Sequence, residues 1–117
     1  MKKILVIEND AGILDIVVII FRDKGFEVLA SKTKVTIERI IQQKPNLILL
    51  DYLLDDACSK EICLEIKNNP LTHHIPVIIL SAITGLEEIA QDSCADAFIA
   101  KPFEIDDLEQ MVDKMAL

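Results

Sequence analysis

Short runs of branched aliphatic residues recur along the chain, separated by stretches in which apolar positions fall three or four apart. The first run, residues 4–7, is Ile-Leu-Val-Ile and stops at the polar residues Glu8, Asn9 and Asp10. Continuous apolar runs of that length read as strands buried on both faces, as in parallel sheets. Residues 11–24 place Ile13, Ile16, Val17 and Ile20 at the spacing of an amphipathic helix, with Asp10 to cap its start and Gly25 to end it. Residues 26–30 predict a second strand. Residues 34–44 predict a second helix, with Ile37, Ile40 and Ile41 toward the core and Val35, Glu38 and Lys44 toward solvent.

Pro45 breaks that helix, and residues 47–50 form a third strand ending at Asp51. A third helix covers roughly residues 60–68, with Ile62, Leu64 and Ile66 on a mixed apolar face, and Pro70 stops it. Residues 77–80 are a fourth strand ending at Ser81, a short helix is expected near 86–93, and residues 97–99 are a fifth strand. The last helix, about 104–115, turns Leu108, Met111, Val112 and Met115 inward. Its first turn carries Glu104, Asp106 and Asp107, the charge that suits the positive end of a helix dipole. Five strands alternating with five helices mean βαβ units, an α/β fold with a parallel sheet and right-handed crossovers.

Composition adds constraints to this pattern. At 117 residues the chain is expected to be one domain, 1–117. Apolar residues make up 51%, and one Tyr and four Phe leave the core to aliphatic side chains. The longest apolar stretch, Ile16 to Phe21, is far short of the ~20 residues that span a bilayer. The N-terminus shows no signal-peptide pattern, so a cytoplasmic address is expected, with no membrane contact. Three cysteines at 58, 63 and 94 make no disulfide framework, which agrees with a reducing compartment. A net charge of −8 argues against direct binding to nucleic acid.

In open α/β sheets the functional crevice lies at the carboxyl ends of the strands. Those ends offer Glu8-Asn9-Asp10, then Asp51, then Ser81, then Lys101-Pro102. Carboxylates clustered in this way hold a hard cation such as Mg²⁺ through oxygen. A carboxylate beside the metal can be a nucleophile toward a phosphoryl group, with the lysine and hydroxyl stabilising charge on its oxygens.

Taken in order, three segments closely resemble the receiver domains of bacterial two-component response regulators. They are Pro45-Asn46-Leu47-Ile48-Leu49-Leu50-Asp51, Ile75-Pro76-Val77-Ile78-Ile79-Leu80-Ser81-Ala82 and Lys101-Pro102-Phe103. The likeness covers essentially the whole chain. It implies a flavodoxin-like (βα)5 three-layer sandwich with a five-stranded parallel sheet in the order 2-1-3-4-5. It also implies a signalling switch rather than an enzyme acting on a separate metabolite. Asp51 would accept phosphate from a histidine kinase or phosphotransfer protein. Glu8, Asn9, Asp51 and the backbone carbonyl of Leu53 would hold Mg²⁺. Ser81 and Lys101 would bind phosphoryl oxygens, and Ser81 with Phe98 would form the moving switch. The Lys101-Pro102 bond is expected to be cis. An output domain or a target protein would meet the face built from the predicted fourth helix, fifth strand and fifth helix, and a homodimer is a further expectation.

The chain departs from this pattern in places. The family usually has a second acid where Asn9 stands, so weaker Mg²⁺ binding is expected. The loop after Asp51 reads Leu54-Asp55-Asp56-Ala57-Cys58-Ser59, lacking the family's proline and glycine, and is expected to take another path. The stretch between Ser81 and Lys101 is slightly short, which leaves the shape of the fourth helix open. Leu53 and Ile83 are apolar where the family lines the path of hydrolytic water, so slow phosphate loss is expected. Val18 and Ile19 widen the first helix's apolar face, as a partner surface would.

Other readings follow from the same residues. A pseudo-receiver would keep the fold as a constitutive protein-binding module without phosphate. A flavodoxin-like enzyme would need a phosphate-binding loop after the first strand, and none is present. His73, His74 and the cysteines lack the close pairing of a structural zinc site.

Overall fold

The computed structural model of the chain describes residues 2–51, 53–54, 57–58, 60–81, 95–101 and 103–116. In chain order the elements begin β1 (Lys3–Ile7), α1 (Ala11–Asp23), β2 (Glu27–Ser31), α2 (Ile37–Gln43) and β3 (Leu47–Asp51). They continue with β4 (Leu53–Leu54), β5 (Ala57–Cys58), α3 (Lys60–Asn68), β6 (Val77–Ser81), β7 (Ala97–Ala100) and α4 (Ile105–Met115). The helix expected near 86–93 lies outside the described residues.

Each boundary has a local cause. The Asp10 carboxylate accepts a hydrogen bond from Ile13 N at 3.0 Å and so caps α1. Gly25, at φ 97°, turns the chain out of α1 toward β2. Thr36 caps α2 by accepting from Arg39 N at 3.2 Å, so the helix starts later than the expected residue 34. Lys44 ends it in the left-handed region at φ 51°, just ahead of Pro45. Val35, expected to face solvent, is instead buried. It precedes the helix cap, so the helical period does not govern its direction. Glu38 and Lys44 are exposed as expected.

The main sheet is wholly parallel in the order β2-β1-β3-β6-β7, which is 2-1-3-4-5 when only its own strands are counted. Alternation along the central strands sorts the core into two halves. Ile4, Val6, Leu47, Leu49, Ile78 and Leu80 pack with Leu14, Val17 and Phe21 of α1 and Leu108 and Val112 of α4. Leu5, Ile7, Ile48, Leu50 and Val77 pack with Ile40 of α2 and Cys63 and Ile66 of α3. Helices therefore cover both faces, giving three layers and central strands buried on both sides. The stretch after β3 forms a small antiparallel hairpin, with Leu53 opposite Cys58 and Leu54 opposite Ala57. No helix among the described residues is long and apolar enough to cross a membrane.

Candidate functional site

Strand register brings the polar strand ends together. Ile7 pairs with Leu50, so Glu8 emerges beside Asp51. Asp51 pairs with Leu80, and Ser81 pairs with Ala100, so Ser81 and Lys101 each emerge one step further along. The ladder holds past the strand ends: Glu8 N donates to Ser31 O at 3.0 Å and Lys101 N to Ser81 O at 2.8 Å. Glu8, Asp51 and Ser81 are all buried polar residues at this edge, with Glu8 completely inaccessible.

Buried carboxylates need compensation. Lys101 provides it, its ammonium lying 2.5 Å from Glu8 Oε1 and 3.6 Å from Asp51 Oδ1. Strands β7 and β1 are three strand spacings apart, roughly 14 Å. A lysine and a glutamate reaching toward each other cover that gap, which shorter side chains would not. The other Glu8 oxygen, Oε2, accepts from Asp10 N at 3.2 Å. Glu8 Oε1 makes no hydrogen bond of ordinary geometry, and its compensation is the Lys101 charge.

The remaining expected residues fall around this pair. Asn9 is exposed on the turn between β1 and α1. Asp10 is exposed, with its carboxylate engaged in capping α1, so it does not replace the acid missing at position 9. Leu53 opens the hairpin two residues beyond Asp51. Phe98 is half-buried on β7, paired with Ile79, and lines a 660 Å³ cleft with Met111, Lys114 and Met115 of α4. Ile83 and the Lys101-Pro102 bond lie outside the described residues. His73 and His74 meet edge to face with ring centroids 6.1 Å apart, both exposed.

Among the described residues no three His, Cys, Asp or Glu side chains gather to hold a metal. The edge does bring two buried carboxylates together, and their oxygens are the hard donors that Mg²⁺ takes. With the amide oxygen of Asn9 and the carbonyl of Leu53, the donor chemistry fits that ion, with one charge fewer than a three-acid set.

Sequence reading missed two features. One is the direct Lys101–Glu8 ion pair, since lysine was expected to serve the phosphoryl group. The other is an apolar groove of 230 Å³ beside Lys101, lined by Ile13, Ile16, Val17, Phe103 and Ile105. Ile105, apolar in an otherwise acidic first turn, was its one visible sign.

Comparison with known proteins bears on these features. The family model described as response regulator receiver domain matches residues 4–113. The phosphate regulon transcriptional regulatory protein PhoB of Pseudomonas aeruginosa is 34% identical over 110 residues, covering 87% of this chain and 46% of the relative. The chain thus spans about half the length of the curated relatives it matches. A putative response regulator from Chloroflexus aurantiacus superposes with a TM-score of 0.89 at 21% identity, covering 98% of this chain and 97% of that one. The receiver domain of sensor histidine kinase PA1611 from Pseudomonas aeruginosa, with a magnesium ion coordinated in its active site cleft, superposes at 0.87. It is 20% identical, over 98% of this chain and 97% of that one.

Proposed function

Because the chain belongs to the response regulator receiver domain family, we propose that it is a phosphorylation-controlled switch whose acceptor is Asp51. The observation that carries this reading is the Lys101 ammonium set between the buried carboxylates of Glu8 and Asp51. That arrangement joins a nucleophilic oxygen to a cation able to neutralise a phosphoryl group attached to it.

Asp51 attacks the phosphorus of a phosphohistidine on a histidine kinase or phosphotransfer protein. The P–O bond forms as the P–N bond breaks, and the imidazole leaves with the bonding pair and takes up a proton. Lys101 pairs with one phosphoryl oxygen and the Ser81 hydroxyl donates to another. Glu8, Asn9, Asp51 and the Leu53 carbonyl would hold Mg²⁺, which supplies further charge neutralisation on those oxygens. A magnesium ion in the cleft of the similar kinase receiver supports that choice of cation. The chain assists its own modification and acts on no separate metabolite. One receiver domain spanning 1–117 and a cytoplasmic setting complete the reading.

The apolar groove beside Lys101 suits the donor's approach. Ile16 and Ile105, 50% and 43% exposed, form its rim, and Ile19, 67% exposed, extends the apolar surface along α1. Exposed patches of this kind mark protein contacts. On the output side, the added charge biases Ser81 and Phe98, and with them the face of β7 and α4 that meets an output domain, a target or a second copy.

Intact-protein mass spectrometry after incubation with acetyl phosphate and Mg²⁺ tests the proposal. A single phosphate adduct is expected on the parent chain and none on Asp51→Asn. Absence of an adduct over a wide Mg²⁺ range would replace this reading with a pseudo-receiver, a constitutive binding module, which the exposure of Asn9 already favours as the second reading.

A further inference from the structure

The edge of the sheet opposite Asp51 carries a second concavity. The end of α2, the entry to β3 and the turn between α3 and β6 enclose about 220 Å³. Ile40, Pro45 and Ile75, all buried, form its floor, Ile41 is half-buried beside them, and Leu71, 63% exposed, stands at the rim. Asn46 precedes β3 and Asp51 ends it, so the two edges lie roughly 16 Å apart. The rim is fixed by hydrogen bonds. Leu71 N donates to Asn69 Oδ1 at 2.8 Å, Thr72 Oγ1 to Ile66 O at 2.7 Å, and Lys67 Nζ to Ile75 O at 2.7 Å.

The polar groups around this floor are cations or hydrogen-bond donors. Lys44 and His74 line it and no lining residue is acidic, in a chain with 20 Asp and Glu against 12 Lys and Arg. Lys44 makes no ion pair among the described residues. His74 is exposed and held edge to face against His73, and its ring carries an N–H in either protonation state. Asn46 Oδ1 accepts from Lys3 N at 2.8 Å, which leaves its NH₂ as a further donor.

We propose that this concavity docks an acidic segment of a partner protein through one bulky apolar side chain. Its volume is below the roughly 300–1,000 Å³ of pockets for drug-sized ligands and suits a single Phe- or Leu-sized anchor. Leu71 extends the apolar surface past the mouth, where a polypeptide makes use of it and a molecule confined to the pocket does not. Carboxylates flanking the anchor pair with Lys44 and accept from His74 and Asn46. The turn is already ordered, so docking freezes little of it. The rest of the chain, at net −8, repels an acidic segment, and the local positive charge steers it to this edge. The contact needs no phosphate on Asp51.

NMR titration of the isotope-labelled parent chain tests this with a seven-residue peptide, one Phe between three Glu on each side. Saturable amide shifts are expected at Ile41, Lys44, Leu71 and Ile75, and none at Asp51 or Lys101. Peptides with Lys in place of Glu, or Ser in place of Phe, are expected not to saturate over the same range. Glycine adopts the φ of 51° at Lys44 without steric cost, so Lys44→Gly removes the charge and keeps the backbone. It is expected to weaken the Glu peptide about two- to fivefold, the range of an exposed ion pair. Leu71→Ser, at an exposed position, is expected to weaken it too. The proposal is overturned by no saturable shift at those amides at millimolar peptide, by equal binding of the Lys peptide, or by unchanged affinity in both variants. Binding of 3-phenylpropionate as tight as that of the Glu peptide would assign the pocket to a small carboxylate instead. The same shifts on concentrating the chain alone would assign it to a second copy, and either result overturns the partner segment.

Discussion

Asp96 is expected to be worth more to this fold than its place on the surface implies. Strand β6 pairs with β7 from Ile78 and Ala97 onward, so Val77 precedes the ladder. The N–H of Val77, a fully buried residue, donates to Asp96 Oδ2 at 2.8 Å, while Asp96 N donates to Val77 O at 3.0 Å. The same carboxylate oxygen lies 2.5 Å from Lys67, whose ammonium also reaches Ile75 O at 2.7 Å. One carboxylate thus ties the end of α3 and the start of β6 to the strand that leads into Lys101.

Asp96→Ala leaves a buried N–H without its acceptor, at a cost of about 1–3 kcal/mol. It also removes an ion pair whose lysine side chain is 13% exposed and whose aspartate is 38% exposed, which adds about 1 kcal/mol after solvent screening. The sum, about 2–4 kcal/mol, is a large part of the roughly 5–15 kcal/mol typical of a domain. For a chain of this length it lowers Tm by roughly 4 °C per kcal/mol. Asp96→Asn keeps an acceptor oxygen for Val77 and loses only the charge, so it is expected to cost about 1 kcal/mol. Urea unfolding of the three proteins measures both steps. An Asp96→Ala change under about 0.5 kcal/mol, the range of an ordinary surface substitution, would refute the reasoning. So would an Asn variant as unstable as the Ala variant.

Other expectations follow from the site and its surroundings. Ile16→Asp is expected to slow transfer from a phosphohistidine donor at least about tenfold, the size of a modest interface hot spot, while acetyl phosphate still labels Asp51. Equal loss with both donors would place the damage outside the groove. Leu53→Asn with Ile83→Glu is expected to speed release of phosphate from labelled protein, and unchanged release would dismiss the idea that these apolar residues exclude water. Lys24 has its pKa raised above 10.5 by the hydrogen bond to Asp113, against some desolvation, with added pull from the charges of Asp113 and Glu109. A raised folded-state pKa means the stabilisation is fully present below about pH 10.5 and is lost as pH rises through the folded value. The lysine side chain is 29% exposed, so Lys24→Met is expected to cost under about 1 kcal/mol at neutral pH. Urea midpoints should show that gap closing in alkali, and a gap that widens there contradicts the sign.

Much of this fold is legible in the chain because its signals are local. The runs ending at Glu8, Asp51 and Ser81 are strands, since short uninterrupted runs rich in branched aliphatic residues suit a sheet covered on both faces and are too short for a buried helix. Asp10 caps α1 and Pro45 follows the end of α2, because capping and backbone sterics act within a few residues. Val35 defeated the same reasoning. Thr36 starts the helix after it, and a periodicity argument has no hold outside the helix it assumes. The hairpin after Asp51 was hidden too, since Leu53-Leu54 and Ala57-Cys58 carry no Gly-containing turn signature between them.

By itself, then, the sequence determined which residues end strands, and so which polar groups are available at one edge: Glu8, Asp51, Ser81 and Lys101. Their partnerships were decided by tertiary structure. Lys101 is far from Glu8 along the chain and three strands away across the sheet, and its ammonium meets Glu8 at 2.5 Å because register and strand order bring both side chains over β3. Lys67 finds Asp96 in the same way, through the crossover that returns α3 to the start of β6. Helical and strand periods are encoded within a few residues, whereas the distance between two charges depends on every strand and crossover that separates them.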